Sequence, residues 1–103
     1  MKNLYLALSL VFFTPLALAN GDVAAGKKKS ATCAGCHGAE GISDVGVFPN
    51  LAGQKAEYLI AQLTAFKSGT RTSANSAMML PMAADLSEQD ILDLATYFSS
   101  LTP

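Results

Sequence analysis

Histidine occurs once in this chain of 103 residues, at position 37, and cysteine twice, at 33 and 36. A single imidazole excludes any metal or haem site that needs two histidines from one chain. Two thiols and one imidazole also fall short of the four ligands of a structural zinc site, which would have to be completed by a carboxylate or water. Charge is scarce as well. Seven Lys and Arg against eight Asp and Glu leave a net charge of −1, which excludes a nucleic-acid binder on electrostatic grounds. No stretch alternates apolar and polar residues for long enough to signal a strand. Internal repeats, low-complexity tracts and long linkers are absent too.

The first segment stands apart from the rest. Lys2 gives a positive start, an uncharged apolar run covers Leu4 to Phe13, Pro15 breaks it, and Ala17-Leu18-Ala19 forms an A-x-A cleavage site. This pattern predicts a secretory signal peptide over residues 1–19, a mature domain over 20–103, and a soluble protein exported to the periplasm. An uncleaved anchor would want about 20 apolar residues, and no cysteine near residue 20 offers a lipid attachment point. Without Lys2, six basic residues face eight acidic ones, a net charge of −2. One small domain has a marginal apolar core and often relies on a disulfide, metal or cofactor. Export permits a disulfide, but one between Cys33 and Cys36 would close a tiny loop and constrain little.

The scarce residues are adjacent: Cys33-Ala34-Gly35-Cys36-His37 reads C-x-x-C-H, the attachment signature of a c-type haem. Two thiols with two residues between them can each form a thioether to one vinyl group of the same porphyrin, and the next residue can ligate the iron. A thioredoxin-like dithiol should follow a strand in a βαβ setting, and none is visible. His37 is therefore the expected proximal ligand. Its second ring nitrogen should donate to a carbonyl or carboxylate, for which the Pro49 carbonyl, on a stiffened backbone, is a candidate. Met78, Met79 and Met82 are candidates for the sixth iron position, or else gap-filling core residues. Spacing does not choose between them. The lysine run Lys27-Lys28-Lys29 is either a solvated helix face or a docking patch for an acidic redox partner.

Three segments have helical periodicity. The first spans about Asp22 to Thr32, with Asp22 as N-cap. Gly26 in its interior costs about 1 kcal/mol relative to alanine, so it is either tolerated or kept for a close approach. The second spans about Gln54 to Lys67, with Leu59, Leu63 and Phe66 on one stripe and Gly69 as the stop. The third spans about Ser87 to Ser99, with Ser87 and Asp90 approximating a capping box. Two loops, Gly38–Gly53 and Thr70–Leu86, join them. Loops of this length in a small domain need an occupant to wrap.

Several stretches together resemble the bacterial class I cytochromes c. They are Cys33 to Gly38, Phe48-Pro49-Asn50-Leu51-Ala52-Gly53-Gln54, Tyr58-Leu59 with Gln62-Leu63, Phe66-Lys67-Ser68-Gly69, Met79-Leu80-Pro81-Met82, and Asp93 to Phe98. More narrowly, the chain is similar to one half of the two-haem periplasmic cytochromes that donate electrons to terminal oxidases, and to their small one-haem relatives. The resemblance implies an all-α class I fold with three main helices and loops around one covalent haem c. It implies a monomeric electron carrier, not an enzyme, working between a respiratory donor and a terminal oxidase or reductase. It selects Met79, the first methionine of the M-x-x-M pair, as the iron ligand, and Pro49 as the partner of the proximal histidine. It also implies a crossing of the first and last helices at Gly26 and Tyr97. The chain departs from the two-haem pattern in carrying one C-x-x-C-H. Other functions compatible with the residues are a small haem subunit of a membrane redox complex and a haem enzyme or gas binder with an open sixth position.

Overall fold

The computed structural model describes residues 21–103. The signal-peptide reading over residues 1–19 lies outside the described residues. Five helices follow in order: α1 (Val23–Lys29), α2 (Ala31–His37), α3 (Ala56–Ser68), α4 (Met79–Ala83) and α5 (Glu88–Ser100). A single 3-10 turn, Ser76–Met78, leads into α4, and there is no strand among the described residues.

The predicted first helix is in fact two. Ser30 interrupts it, with its hydroxyl donating to the Lys27 carbonyl at 2.6 Å, a side-chain bond that competes with the helical ladder. Helix then resumes and carries the chain through the C-x-x-C-H window to His37. The predicted end at Thr32 was therefore too early, because the polar and small residues of Ala31–His37 have no apolar stripe to betray a helix. The Asp22 cap is as expected: its carboxylate accepts from the Ala24 amide at 2.9 Å. The second and third predicted helices appear with ends moved by one or two residues. Gly69 ends α3 in the left-handed conformation, and the Ser87–Asp90 capping box is complete in both directions.

Helix α5 is the spine. Ile91, Leu94, Ala95, Tyr97 and Phe98 are all buried, and Leu59 of α3 joins four of them in one core cluster. Helix α1 crosses α5 at Gly26. A Cβ at that position would lie 2.0 Å from the Asp93 carbonyl oxygen and 2.6 Å from Tyr97 Cβ. The glycine is thus kept for close approach, the crossing with Tyr97 that the resemblance implied. Helix α3 packs on the neighbouring side of α5.

The same crossing holds a buried carboxylate. Asp93 is 3 % exposed. It accepts from the Asp22 amide at 2.8 Å, from Lys29 Nζ at 2.5 Å and from Gln89 Nε2 at 2.9 Å. Lys29 Nζ also reaches Asp90 at 2.8 Å. The lysine run is therefore not one patch. Lys29 is bound to two carboxylates of α5, while Lys27 and Lys28 are exposed.

Two consequences can be measured. Gly26→Ala forces α1 away from the α5 backbone and should cost about 1–3 kcal/mol, read as a lower urea midpoint with an unchanged slope. The Lys29 ammonium, followed by the Asp22 amide and Gln89, holds the Asp93 carboxyl down at about 2. An unfolded aspartate titrates near 3.9, so this stabilisation is complete above about pH 4 and is lost as pH falls toward 2. Asp93→Asn should lower stability at pH 7 and flatten its fall between about pH 4 and pH 2, as followed by denaturant titrations at each pH.

Candidate functional site

One cavity of about 540 Å³ brings the scarce residues together. Helix α2 contributes Cys33, Cys36 and His37, and the first loop contributes Phe48, Pro49 and Leu51. The second loop and α4 contribute Met78, Met79 and Met82. Leu59, Phe66, Leu94 and Phe98 line it from the core side, so the apolar cluster between α3 and α5 is also the cavity wall. Every residue expected to serve the iron site lines this cavity, Pro49 included.

Helical spacing explains the cysteines. Residues three apart on a helix project from one side, so α2 turns both thiols to the same cavity. No disulfide joins them. Burial pushes the Cys33 thiol up, the opposite of the lowered pKa that activates a dithiol oxidoreductase. No group of three or more His, Cys, Asp or Glu side chains among the described residues is arranged to hold a metal ion. Neither the thioredoxin-like nor the zinc alternative is supported by this geometry.

His37 is 6 % exposed, and its Nδ1 lies 2.8 Å from the Pro49 carbonyl oxygen. A carbonyl can only accept, so Nδ1 carries the proton and donates. Nε2 is then left with its lone pair on a cavity-lining ring. A carbonyl bond of this kind fixes the tautomer and plane of a ligating imidazole. The first loop is built to deliver that carbonyl. Gly41, at φ 73°, accepts from both Leu51 (2.8 Å) and Ala52 (3.1 Å) through its carbonyl. A Cβ there would sit 2.8 Å from the Ala52 nitrogen. Asn50 accepts from the Ser43 amide at 2.7 Å, and the Gly53 amide donates to the Phe98 carbonyl at 2.9 Å. These bonds close the loop on itself and tie its end to α5.

The three methionines differ in environment. Met78 and Met82 are 58 % and 47 % exposed, whereas Met79 is half-buried at the first position of α4. Sequence reasoning missed Arg71. Its guanidinium donates to Gln62 at 2.8 Å, lies 4.6 Å from the Phe66 ring centroid, and lines the same cavity. A lone basic residue in a loop carries no pattern by which to find it.

The cavity fits a haem on the chemistry of its donors. It offers two thiols on one helix face, an imidazole with a fixed free nitrogen, thioethers from a separate segment, and walls that are mostly apolar. The cytochrome c family model matches residues 23–102. Cytochrome c-554(548) of Halomonas halodenitrificans is 48% identical over 80 residues, covering 78% of this chain and 96% of that protein. Cytochrome c4 of Pseudomonas aeruginosa is 45% identical over 101 residues, 97% of this chain and 49% of that protein. The crystal structure of reduced cytochrome c4 from Pseudomonas stutzeri superposes with a TM-score of 0.71 at 41% identity, over 80% of this chain and 46% of that one. The chain thus spans about half the length of its cytochrome c4 relatives and nearly all of the c-554(548) relative. A helical fold around such a cavity defines a covalent haem c protein of the class I type. The chain belongs to the cytochrome c family, and as such it is an electron-transfer protein whose cofactor is attached through the C-x-x-C-H motif at Cys33 and Cys36.

Because the cavity is walled by core residues, the haem is part of the core. The chain stripped of haem should be largely unfolded, since ligation and burial both enter its folding free energy. Far-ultraviolet circular dichroism and urea titration of the Cys33→Ala, Cys36→Ala double variant would test this, with loss of a cooperative transition as the expected result.

Proposed function

We propose that this chain is an exported, monomeric one-haem carrier that moves single electrons between a respiratory donor and a terminal oxidase or reductase in the periplasm. Bound haem c supplies the one-electron iron couple. The chain's residues determine how it is held and tuned. Cys33 and Cys36 would attach it, and His37 Nε2 and Met79 Sδ would be the chain's two ligands to its iron. Pro49 is the second-sphere residue that orients His37. The observation that carries this reading is the His37–Pro49 hydrogen bond of 2.8 Å, which leaves Nε2 as a fixed lone pair on the cavity. Met79 is favoured over its neighbours because it is the least exposed of the three cavity methionines. A ligand that leaves the iron in neither redox state has to be held in place, and an exposed side chain is not.

A filled sixth position favours a carrier over a haem enzyme or gas binder, because no substrate can reach the iron without displacing Met79. Methionine ligation also raises the reduction potential. No described helix is long and apolar enough to cross a membrane, which fits the exported soluble form. Lys27 and Lys28, exposed at the end of α1, offer an acidic partner a small basic patch that would act chiefly on encounter rate. The ferric wild-type protein should show the weak near-infrared charge-transfer band of methionine-sulfur ligation. Met79→Ala should abolish that band, lower the midpoint potential and admit carbon monoxide. Met82→Ala should leave all three nearly unchanged. A larger effect from Met82→Ala would move the ligand assignment, and a high-spin wild-type spectrum would overturn the carrier reading.

A further inference from the structure

The carbonyl to which His37 donates is not held by packing. Pro49 and the residue after it, Asn50, are both exposed, and water competes for an exposed acceptor. The proline ring fixes its own φ but not the ψ that aims its carbonyl. That direction is set by what pins the residues on either side. Before it, the Phe48 amide donates to the Val45 carbonyl at 3.0 Å and closes a turn. After it, the Ser43 amide donates to the Asn50 side chain at 2.7 Å. A backbone amide only donates, so Oδ1 is the atom that faces Ser43. Leu51 and Ala52 then bond the Gly41 carbonyl, and the Gly41 amide donates to the carbonyl of Gly38, the residue after His37, at 3.1 Å. The Ser43 hydroxyl lies 3.3 Å from the Cys36 carbonyl in the last turn of α2. The His37–Pro49 and Ser43–Asn50 bonds are thus rungs between the same two lengths of chain, 37–43 and 49–52. The rung next to the Pro49 carbonyl is the one that the Asn50 side chain makes.

We propose that Asn50 is a positioning residue for the His37 imidazole: its bond to Ser43 holds the Pro49 carbonyl on Nδ1 and thereby lowers the reduction potential of the iron. The inference rests on the proposed ligation of that iron by His37. The direction follows from the chemistry of the ring. A stronger hydrogen bond at Nδ1 makes Nε2 a more basic donor. A more basic ligand stabilises the ferric iron, the more electron-poor state, and so lowers the potential. Without the Asn50 rung, ψ of Pro49 is free to turn and its carbonyl is shared with water. The bond at Nδ1 then weakens, Nε2 donates less, and the potential rises. Pro49 supplies the acceptor, and Asn50 sets its aim.

The test uses the haem-loaded full protein, with nuclear magnetic resonance of its reduced, diamagnetic form. In the wild type the carbon-bound ring protons of His37 should be moved far upfield by the porphyrin ring current. That signature reports ligation alone; without it the ligation reading fails and takes this inference with it. In Asn50→Ala the His37 Nδ1 proton should move upfield, as for a weaker hydrogen bond, and exchange faster with solvent. At a poise leaving wild type half reduced, the reduced-to-oxidised ratio should rise about two- to fivefold, part of the worth of one hydrogen bond. Asn50→Asp keeps an oxygen facing the Ser43 amide and should restore the Nδ1 resonance. Ser43→Ala keeps that amide and should leave both the resonance and the potential close to wild type. If Asn50→Ala does not assemble with haem, Asn50→Gln, which displaces the acceptor by one methylene, should give the same shifts in smaller size. Lower thermal stability with wild-type resonance and potential would make Asn50 a residue of loop stability only. A changed potential with an unchanged Nδ1 resonance would show that Asn50, which also lines the cavity, acts on the haem directly. Either result overturns the proposal, as does a potential that falls.

Discussion

The rest of the structure depends on the close crossing of α1 and α5 at Gly26. Without a Cβ, the α1 backbone comes against the Asp93 carbonyl and the Tyr97 side chain. That contact fixes where α1 ends, and α2 follows after the single residue Ser30. The crossing therefore sets where Cys33, Cys36 and His37 stand relative to α5, whose buried face is the cavity wall. The Asp93 network reinforces the same contact, since its donors come from Asp22 and Lys29 on one side and Gln89 on the other. A buried carboxylate with three donors is stabilising only while every donor is in place. The network thereby favours one register of α1 on α5 over its neighbours.

The same economy explains why so small a domain carries two long loops. A helix bundle of this size would normally close its core with side chains alone. Here Leu59, Phe66, Leu94 and Phe98 face a cavity, and the loops complete its lining with Phe48, Pro49, Leu51 and the methionines. The loops gain order from the cofactor they enclose, while the cofactor gains a dry environment from them. Fold and site are one cooperative unit, so mutations in the loops should be felt in stability as much as in redox chemistry.

The parts of this arrangement that were legible in the sequence are those encoded by few residues at short range. Cys33, Cys36 and His37 declare their chemistry by spacing, and Asp22 and Ser87 by capping, whereas the cost of Gly26 within a helix left its role open and only the resemblance pointed to a close crossing. Pro49 was legible because a buried imidazole needs an acceptor for its second nitrogen. What was hidden has long-range or aperiodic causes. The break at Ser30 comes from one hydroxyl choosing a backbone carbonyl. Helix α4 is five residues long with Pro81 inside it, so its sequence resembles a loop. Proline is tolerated there because an amide in the first helical turn has no partner to lose. The pairing of Lys29 with Asp90 and Asp93 joins positions about sixty apart in sequence, and nothing in the lysine run singles out its third member.

Helix α3 does more than fill the core, because it holds both ends of the loop that presents the methionines. Arg71, two residues past its stop, is tied back to Gln62 and Phe66. Lys67, in its last turn, donates to the Leu86 carbonyl just before α5. Between these two anchors, Ala83 is completely buried and fixes the end of α4. Under the proposed ligation the thioether, a weak ligand for ferric iron, would not organise its own loop and would have to be delivered by one already organised. Anchoring both ends on α3 supplies that order from outside the iron site. The same helix thus positions Met79 through its C-terminal lysine and the cavity's cation through its glutamine. Changes along the exposed side of α3 should alter the iron site without touching any residue that ligates it.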